Sequence, residues 1–485
     1  MLERLLARVA ELEAGLAARD RVIAAQAERI AELERRLAAD SSNSSRPPSS
    51  DAPWEKKPAA KRSGRGRSGR RPGKQPGTGS ASRSLSEDPD RRIVVIEPGQ
   101  CSGCAGSLAG GVERSRERRQ VVDARPVPPP EITEYQRVSK LCPCCGQVNT
   151  PGWDTGDDRT DVVAPPGSPV RIGPEILARC ALLTCGHYLP VGRATALLEA
   201  LSGVRVSTGF TARVRARAAA KLTEVFLPHL RTLLAGAPVL HADETTGRAA
   251  GALAYVHVAC TEYLTVLHVG GRSAADIDAG GVLPAFTGVL VRDGYAGYAH
   301  LPAVHAWCGA HLLRDLRAVS DADPHAQLWA LAMADTLIEA HHAARAARER
   351  GADRLDVVTL ARIRGLYRGA LAKGQADNEG RCGPLAAEAR KLARRFARFE
   401  DMILRFSADL TVPFSNNEAE RSVRPVKVQQ RTSGGAWRTL QGLVDFATVQ
   451  SYLDTAHKWG IDKLDALRQL FTTGPWLPPA LTPAE

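Results

Sequence analysis

Two aspartates stand at the ends of apolar runs in the middle of the chain. Asp243 lies in VLHADETTG and Asp293 lies in TGVLVRDGY. Both runs alternate like β-strands, and a carboxylate at the end of a buried strand is costly unless it is solvated, paired or bound to a metal ion. Ligand sites of open α/β sheets lie at such strand ends. Taken alone, each aspartate fits a turn residue as well as it fits a ligand.

A third acid lies in the polar segment NNEAERSVRPVKVQQ. Asn416, Glu420 and Arg424 recur every four residues there and share one face of a predicted helix. Asn417 is predicted to cap this helix, and the proline inside the segment is predicted to end or kink it. An ion pair of Glu420 with Arg424 or Lys427 would explain the spacing equally well.

Four of the ten cysteines form two closely spaced pairs that are typical of zinc ligands. The pairs are Cys101-x-x-Cys104 and Cys142-x-x-Cys145, and each runs into a glycine-bearing turn. Two such turns can bring four thiolates into a tetrahedron around Zn²⁺, and in a cytosolic protein this use is favoured over disulfides. Cys144 is an alternative to Cys145, because CPCCG offers both. We therefore expect a structural zinc site of the ribbon type.

The elements that must position these groups alternate between β and α patterns. Short strand-like runs between 93 and 150 (RRIVVIEP, RQVVDARP and ITEYQRV) surround the cysteine pairs. A helical pattern over 173–232 is followed by five β runs over 238–308, a second helical stretch over 309–400 and a last one over about 437–472. Strands flanked by helices on both sides predict an α/β architecture for the second half of the chain.

The stretch 190–223 can form a helix-turn-helix. One helix covers VGRATALLEALS, Gly203 supplies the turn, and Ser207 caps a second helix, TGFTARVRARAAAK. The second helix carries basic residues that would suit the major groove of DNA: Arg213, Arg217 and Lys221. An ordinary helical hairpin has the same pattern, so both interpretations stay open.

The first forty residues repeat in sevens. One row of the repeat is wholly apolar: Leu2, Val9, Leu16, Ile23, Ile30 and Leu37. The second row is apolar except at Arg19 and Gln26. This pattern predicts a coiled coil of about five heptads, and hence a homo-oligomer. A single amphipathic helix that packs on its own protein is the alternative.

Charge sets the next segment apart. The 485 residues carry a net charge of +12, and +9 of this falls in residues 41–86, where 11 basic residues stand against 2 acidic ones. Ser, Gly, Pro and Arg dominate residues 41–92, so this segment is predicted to be a disordered basic linker that suits nucleic acid, or else only keeps the protein soluble. No run of 18 uncharged apolar residues is present, so we expect a cytosolic protein without a membrane span.

Four motifs in order, HADET, VRDGYAGY, WCGAH and NNEAERSVRP, resemble the transposases of the insertion sequence 66 family. The leucine-rich start, NSSRPPSSD, GKQPGTG and the CPCCG turn match the N-terminal pattern of that family. The resemblance implies a DDE transposase with a ribonuclease-H-like core. It assigns the acidic triad to Asp243, Asp293 and Glu420, with Glu418 second in rank for the third acid, and it places a helical insertion before that acid.

The same resemblance implies two Mg²⁺ ions, or Mn²⁺ in their place, because hard cations prefer carboxylate oxygens. Such a pair activates water or a 3′-hydroxyl group and stabilises the leaving 3′-oxygen of DNA. Basic residues beside the third acid are expected to clamp DNA phosphates, with surface ion pairing as the alternative: Arg421, Arg424 and Lys427.

Further residues match the family pattern or depart from it. Cys308-x-x-His311 has a spacing that could bind a metal ion, but only two ligands are visible, so we expect a packing role. His241 is expected to be a packed or hydrogen-bonded neighbour of the site, and Arg272 is expected to support it. The chain departs from the pattern at Ser415, where family members commonly carry Asp.

The predicted protein is multidomain α/β, with a ribonuclease-H-like catalytic core that holds a helical insertion. Its predicted segments are a coiled coil (1–40), a disordered basic linker (41–92), a zinc-ribbon-like domain (93–155), a helix-turn-helix-like DNA-binding segment (173–232), the catalytic core (233–311 and 401–455), the helical insertion (312–400) and a C-terminal helix and tail (456–485).

The predicted function is Mg²⁺-dependent DNA transposition. The partners expected from it are the terminal repeats of the element, the target DNA and small companion proteins encoded in the same element, in the bacterial nucleoid. A catalytically silent DNA-binding remnant or regulator is the main alternative. A nuclease that cuts without strand transfer is another.

Overall fold

The computed structural model describes residues 85–87, 95–122, 127–150 and 170–480, together with six single helical positions between 19 and 33. Most of the predicted coiled coil and nearly all of the predicted linker therefore lie outside the described residues. The chain divides into two compact units, Trp54–Pro128 and Met1–Pro53 with Pro129–Glu485, and each is described by itself.

The cysteine-bearing region has less β-structure than its sequence predicts. Its strands are β1 (Lys140–Leu141) and β2 (Val148–Asn149), which form an antiparallel hairpin. The described parts of RRIVVIEP, RQVVDARP and ITEYQRV contain no strand, so these three predictions are wrong there. Ile96, Val121 and Ile132 are 92%, 94% and 87% exposed. Short β runs need further strands or a core to pack on, and among the described residues these apolar side chains belong to neither hydrophobic core.

From residue 170 onwards, one five-stranded sheet is surrounded by helices. The strands are β3 (Val239–Ala249), β4 (Ala252–Cys260), β5 (Thr265–Gly270), β6 (Val289–Arg292) and β7 (Val304–Trp307). The helices are α1 (Pro174–Ala181), α2 (Val191–Ser202), α3 (Thr208–Glu224), α4 (Phe226–Ala235), α5 (Ala274–Asp278), α6 (Gly309–Ala322), α7 (Leu328–Glu349), α8 (Val357–Asn378), α9 (Pro384–Arg398), α10 (Glu400–Ile403), α11 (Arg405–Ala408), α12 (Asn417–Thr432), α13 (Leu440–Lys458) and α14 (Lys463–Thr472).

The sheet has the strand order β5-β4-β3-β6-β7. Strands β3, β4 and β5 are antiparallel neighbours, whereas β6 and β7 run parallel to β3. The β3–β4 hairpin closes through Ala250 and Gly251, whose φ angles of +51° and +80° suit a two-residue turn with the twist of the strands. All five predicted β runs are confirmed, and the mixed α/β architecture with them.

Two hydrophobic cores hold the sheet. Leu240 and Ala242 of β3 belong to the first core, which also takes in Leu222 of α3 and many residues of α13. The helical segment before the sheet therefore shares one hydrophobic core with the sheet. Val291 of β6 and Trp307 of β7 belong to the second core, which they share with helices α6 to α9.

Local signals in the helices are mostly confirmed. Helix α2 ends at Ser202, Gly203 follows with a φ of +68°, and the Ser207 hydroxyl accepts the Phe210 amide at 3.1 Å to cap α3. Pro425 of the fourth motif, NNEAERSVRP, is predicted to end or kink its helix. Helix α12 continues through Pro425 to Thr432, so the proline does not end it.

Candidate acidic metal site

Asp243 is partly buried and lies within the central strand β3, which continues to Ala249, so the prediction that it stands at a strand end is wrong. Its Oδ1 accepts the backbone amide of Glu244 at 2.9 Å. The pKa of Asp243 is raised well above its ordinary value, first by burial and then by neighbouring negative charges. In order of effect these charges belong to Asp293, Glu244 and Glu420. The two other acids of the predicted triad therefore lie close enough to Asp243 to repel it.

Asp293 reaches the same edge of the sheet because β6 is the parallel neighbour of β3. His241 pairs with Val291 in the register, so the two aspartates follow at equivalent places. Asp293 Oδ1 accepts the Tyr295 amide at 2.9 Å, which orders the turn after the strand. The buried Arg292 side chain donates to the carbonyls of Asp293 and Tyr295 at 2.8 and 3.0 Å, and these hydrogen bonds also stabilise the turn.

Glu420 comes to the site from the first turn of α12. Its nearest nitrogen atoms of basic side chains are Arg314 Nη2 at 3.7 Å and His311 Nδ1 at 3.9 Å, both too far for a hydrogen bond. The buried Oε1 of Glu420 has no hydrogen-bond partner among the described residues. Among the described residues, neither Arg424 nor Lys427 forms an ion pair with Glu420. The alternative prediction of such an ion pair is therefore wrong.

Asn416 connects the elements that carry the acids. Its side chain is fully buried; Nδ2 donates to the Ala242 carbonyl at 2.7 Å, and Oδ1 lies 3.0 Å from His241 Nδ1. Its amide donates to Cys308 Sγ at 3.2 Å. The prediction that Asn417 caps α12 is wrong: Asn417 is the first helical residue, and Asn416 stands at the cap without a side-chain capping bond. The expected role of His241 as a hydrogen-bonded neighbour is confirmed.

The basic residues of α12 differ in their surroundings. Arg421 is exposed and pairs with Glu418 at 3.0 Å. Arg424 is exposed, and no described carboxylate lies within ion-pair distance of it. Lys427 is partly buried and donates to Thr246 Oγ1 at 2.6 Å, and burial lowers its pKa to about 8. Of these three residues, Arg424 is therefore the best placed to meet a phosphate.

Glu244 belongs to a second polar cluster, which was not predicted from the sequence. Its side chain is 5% exposed, and its Oε1 accepts Arg272 Nη2 at 2.8 Å. Its Oε2 accepts the Tyr298 hydroxyl at 2.7 Å. Arg272 also lies 4.0 Å from the centre of the Tyr295 ring. Arg272 thus connects β3 to the turn that carries Asp293, and the signal for Glu244 was only its place beside Asp243.

Each cysteine pair lies on a tight turn whose amides face the first sulfur. The pKa of Cys101 is lowered, first by the backbone amide of Gly103 and then by that of Cys104. The pKa of Cys142 is lowered in the same way by the amides of Cys145 and its neighbour. Amides directed at sulfur stabilise the thiolate, which is the form that binds metal. Both turns therefore have the local chemistry of zinc ligands.

The donor set at the acidic site suits a hard divalent cation. The charges of Asp293 and Glu420 both act on Asp243, and no described cationic side chain lies within ion-pair distance of Asp243 or Asp293. Each aspartate uses Oδ1 for a backbone amide, and this arrangement leaves its Oδ2 for another ligand. Oxygen ligands of this kind are those that Mg²⁺ prefers.

Comparison with known families matches residues 169–444 to the family described as Transposase IS66 family. That match makes the chain a transposase by class, which implies a DNA-processing enzyme that binds DNA. The match covers more than half of the 485 residues, so the chain belongs to the IS66 transposase family. The resemblance seen in the sequence is confirmed.

Residues 2–84 match a second family model, described as a family of unknown function (DUF6444). No curated protein matches the chain. Among the described residues, no helix combines the length and apolar character that a membrane span requires.

Proposed function

We propose that this chain is a DDE transposase in which Asp243, Asp293 and Glu420 hold two Mg²⁺ ions and catalyse cleavage and strand transfer of element DNA. The observation that carries this proposal is the parallel register of β3 and β6, which puts Asp243 and Asp293 at equivalent places. Burial, followed by the charges of Asp293, Glu244 and Glu420, raises the pKa of Asp243 there. The strand order, with β3 and β6 parallel at the acidic edge, is compatible with a ribonuclease-H-like core.

Two bound Mg²⁺ ions supply activation of the water or 3′-hydroxyl nucleophile and stabilisation of the leaving oxygen. The residues of the chain position the carboxylates that would hold these ions. Backbone amides fix one oxygen of each aspartate, and α12 carries Glu420 to them. Arg424, one turn further along α12, is directed at solvent and would neutralise a phosphate of the bound strand.

The proposal is tested by a cleavage assay with Mg²⁺ on the ends of the element. Cleaved ends and joined products are expected. A chain that binds the ends but neither cuts nor joins them would instead be a DNA-binding regulator, and one that only cuts would be a nuclease.

We place a DNA-binding surface on the exposed face of α3. The buried face of this helix is apolar and packs into the first core. On the opposite face Arg213, Arg217 and Lys221 are exposed and recur every four residues. Within the described part of the chain, no carboxylate forms an ion pair with them. The alanines between them keep this face flat enough for a DNA groove.

Replacement of Arg213, Arg217 and Lys221 together by Ala is expected to weaken DNA binding and to reduce the slope of log affinity against log salt by about 3, because each phosphate contact contributes about 0.9. The measurement is a salt titration of binding to element ends. The matched control replaces three exposed arginines that already pair with acids, Arg345, Arg362 and Arg368. A salt slope unchanged in the α3 variant would rule this surface out.

From the spacing of the two cysteine pairs in the sequence, we also propose that they are ligands of structural zinc. Replacement of Cys101 and Cys104 by Ser is expected to release one equivalent of Zn²⁺ per chain, because zinc affinity depends on thiolate ligands. Metal analysis of the full chain measures this, with Cys382→Ser as the control for an exposed cysteine outside the pairs. Equal zinc content in the wild type and the double variant would contradict the site.

A further inference from the structure

A cysteine, a histidine and a glutamate converge beside the acidic site. Cys308 is the last residue before α6, and His311 lies in the first turn of that helix, so their spacing of three places both on one face. Glu420 faces them from the first turn of α12. The Sγ, imidazole nitrogen and carboxylate oxygen of these residues all lie within 4.8 Å of one another.

Two polar atoms of this cluster are buried without a partner. His311 Nδ1 and Glu420 Oε1 have almost no contact with solvent and no hydrogen-bond partner among the described residues. The two atoms are 3.9 Å apart, which is too long for a hydrogen bond between them. Unsatisfied buried polar atoms are rare and destabilising. Both would be satisfied by one ion between them.

The sulfur of Cys308 has a contact that is compatible with binding the same ion. It accepts the Asn416 amide at 3.2 Å, and the Cys308 side chain is buried. An amide directed at sulfur is a common outer-shell contact of a metal-bound thiolate, because it compensates part of the negative charge. The sequence showed only the cysteine and the histidine; the third ligand comes from a residue 109 positions later than His311.

We propose that Cys308, His311 and Glu420 form a mixed sulfur, nitrogen and oxygen site for one divalent ion of the zinc type. Ligand bonds of about 2.0–2.3 Å place two ligands of one ion roughly 3.3–3.8 Å apart, so modest side-chain rotations close the site. A thiolate and an imidazole select zinc over magnesium. Three protein ligands leave the fourth position of the ion to water.

This ion would position the third acid of the proposed transposase, and in that respect the inference rests on the proposed function. Oε1 is the oxygen of Glu420 that faces His311 and Arg314. Binding of Oε1 to zinc fixes the carboxylate and leaves Oε2 for the catalytic ions. It also joins the start of α12 to the start of α6.

The test is the zinc content of the full chain, purified in a buffer with millimolar Mg²⁺ so that magnesium occupies the carboxylate triad. His311→Ala and Cys308→Ser are each expected to hold one equivalent of zinc less than the wild type. Cys260→Ala removes a buried thiol outside the cluster and is expected to keep the full content. Circular dichroism checks the fold of each variant, and His311→Ala decides the result if Cys308→Ser does not fold.

Equal zinc content in the wild type and His311→Ala would overturn the inference. Asp243→Asn separates the two proposals, because it removes a triad ligand and leaves the cluster intact. It is expected to retain all of the zinc while it loses cleavage. Loss of the same zinc equivalent in Asp243→Asn would place that ion in the triad and would also overturn the inference, whereas active Asp243→Asn with full zinc would refute only the proposed function.

Discussion

Asp243→Asn is expected to lower DNA cleavage and strand transfer by on the order of 10³-fold or more, while binding to element ends stays nearly unchanged. The replacement keeps the size of the side chain and its place on β3. It removes the negative charge that a divalent ion requires, and it leaves the exposed basic residues of α3 as they are. The expected loss of activity is therefore a loss in the chemical step and not in DNA binding.

The measurement compares single-turnover cleavage with binding to the same DNA. Asp278→Asn is the matched control, because Asp278 is an acid of the same unit that pairs with His300 at 2.8 Å, outside the acidic site. Its activity should equal that of the wild type. Full cleavage by Asp243→Asn would show that this carboxylate does not serve the reaction.

The same variant should be more stable than the wild type when metal is absent. Since the folded-state pKa of Asp243 is raised, its contribution to stability is present below the ordinary carboxylate pKa and is lost as the pH rises through the raised value. At neutral pH in a chelator we expect Asp243→Asn to unfold with a free energy higher by on the order of 1 kcal/mol. The gap should close at acid pH and on addition of Mg²⁺. Urea titrations across this range measure it.

Asn416→Ala is expected to lower the free energy of unfolding by about 2–4 kcal/mol and to impair cleavage strongly. The change leaves the Ala242 carbonyl and the His241 ring without their partner in a buried place. It also loosens the start of α12, which carries Glu420. Urea unfolding and cleavage are both measured.

The neighbouring Asn417→Ala is the matched control for that variant. Asn417 has the same side chain one residue further on, but it is exposed. Its replacement should change the free energy of unfolding by less than about 0.5 kcal/mol. Equal effects of the two changes would mean that Asn416 does not connect the strand and the helix.

Local sequence signals predicted the parts of the fold that depend on neighbouring residues. The five strands, the turn at Gly203 and the cap at Ser207 follow from periodicity and from the backbone preferences of glycine and serine. The sequence placed Asp243 and Asp293 in separate β runs, but only the parallel pairing of β3 with β6 in the structure shows that they lie at equivalent places. The family motifs added Glu420, which spacing alone left as an ordinary ion pair.

The remaining features depend on contacts between distant parts of the chain. The sequence places Asn416 on one helical face with Glu420 and Arg424, yet its side chain bonds to a strand 174 residues earlier in the sequence. Lys427 reads as a phosphate clamp, but its ammonium group is drawn inward to Thr246. The apolar runs near the cysteines resemble strands in sequence, but their described apolar residues are exposed. No local pattern records these tertiary partners.

The central claim is that three carboxylates share divalent ions, and anomalous scattering from Mn²⁺ in crystals of the full chain bound to element-end DNA tests it most directly. We predict two manganese peaks, each in contact with at least two of Asp243, Asp293 and Glu420. An ordered site without manganese, or with manganese on only one of these acids, would contradict the claim.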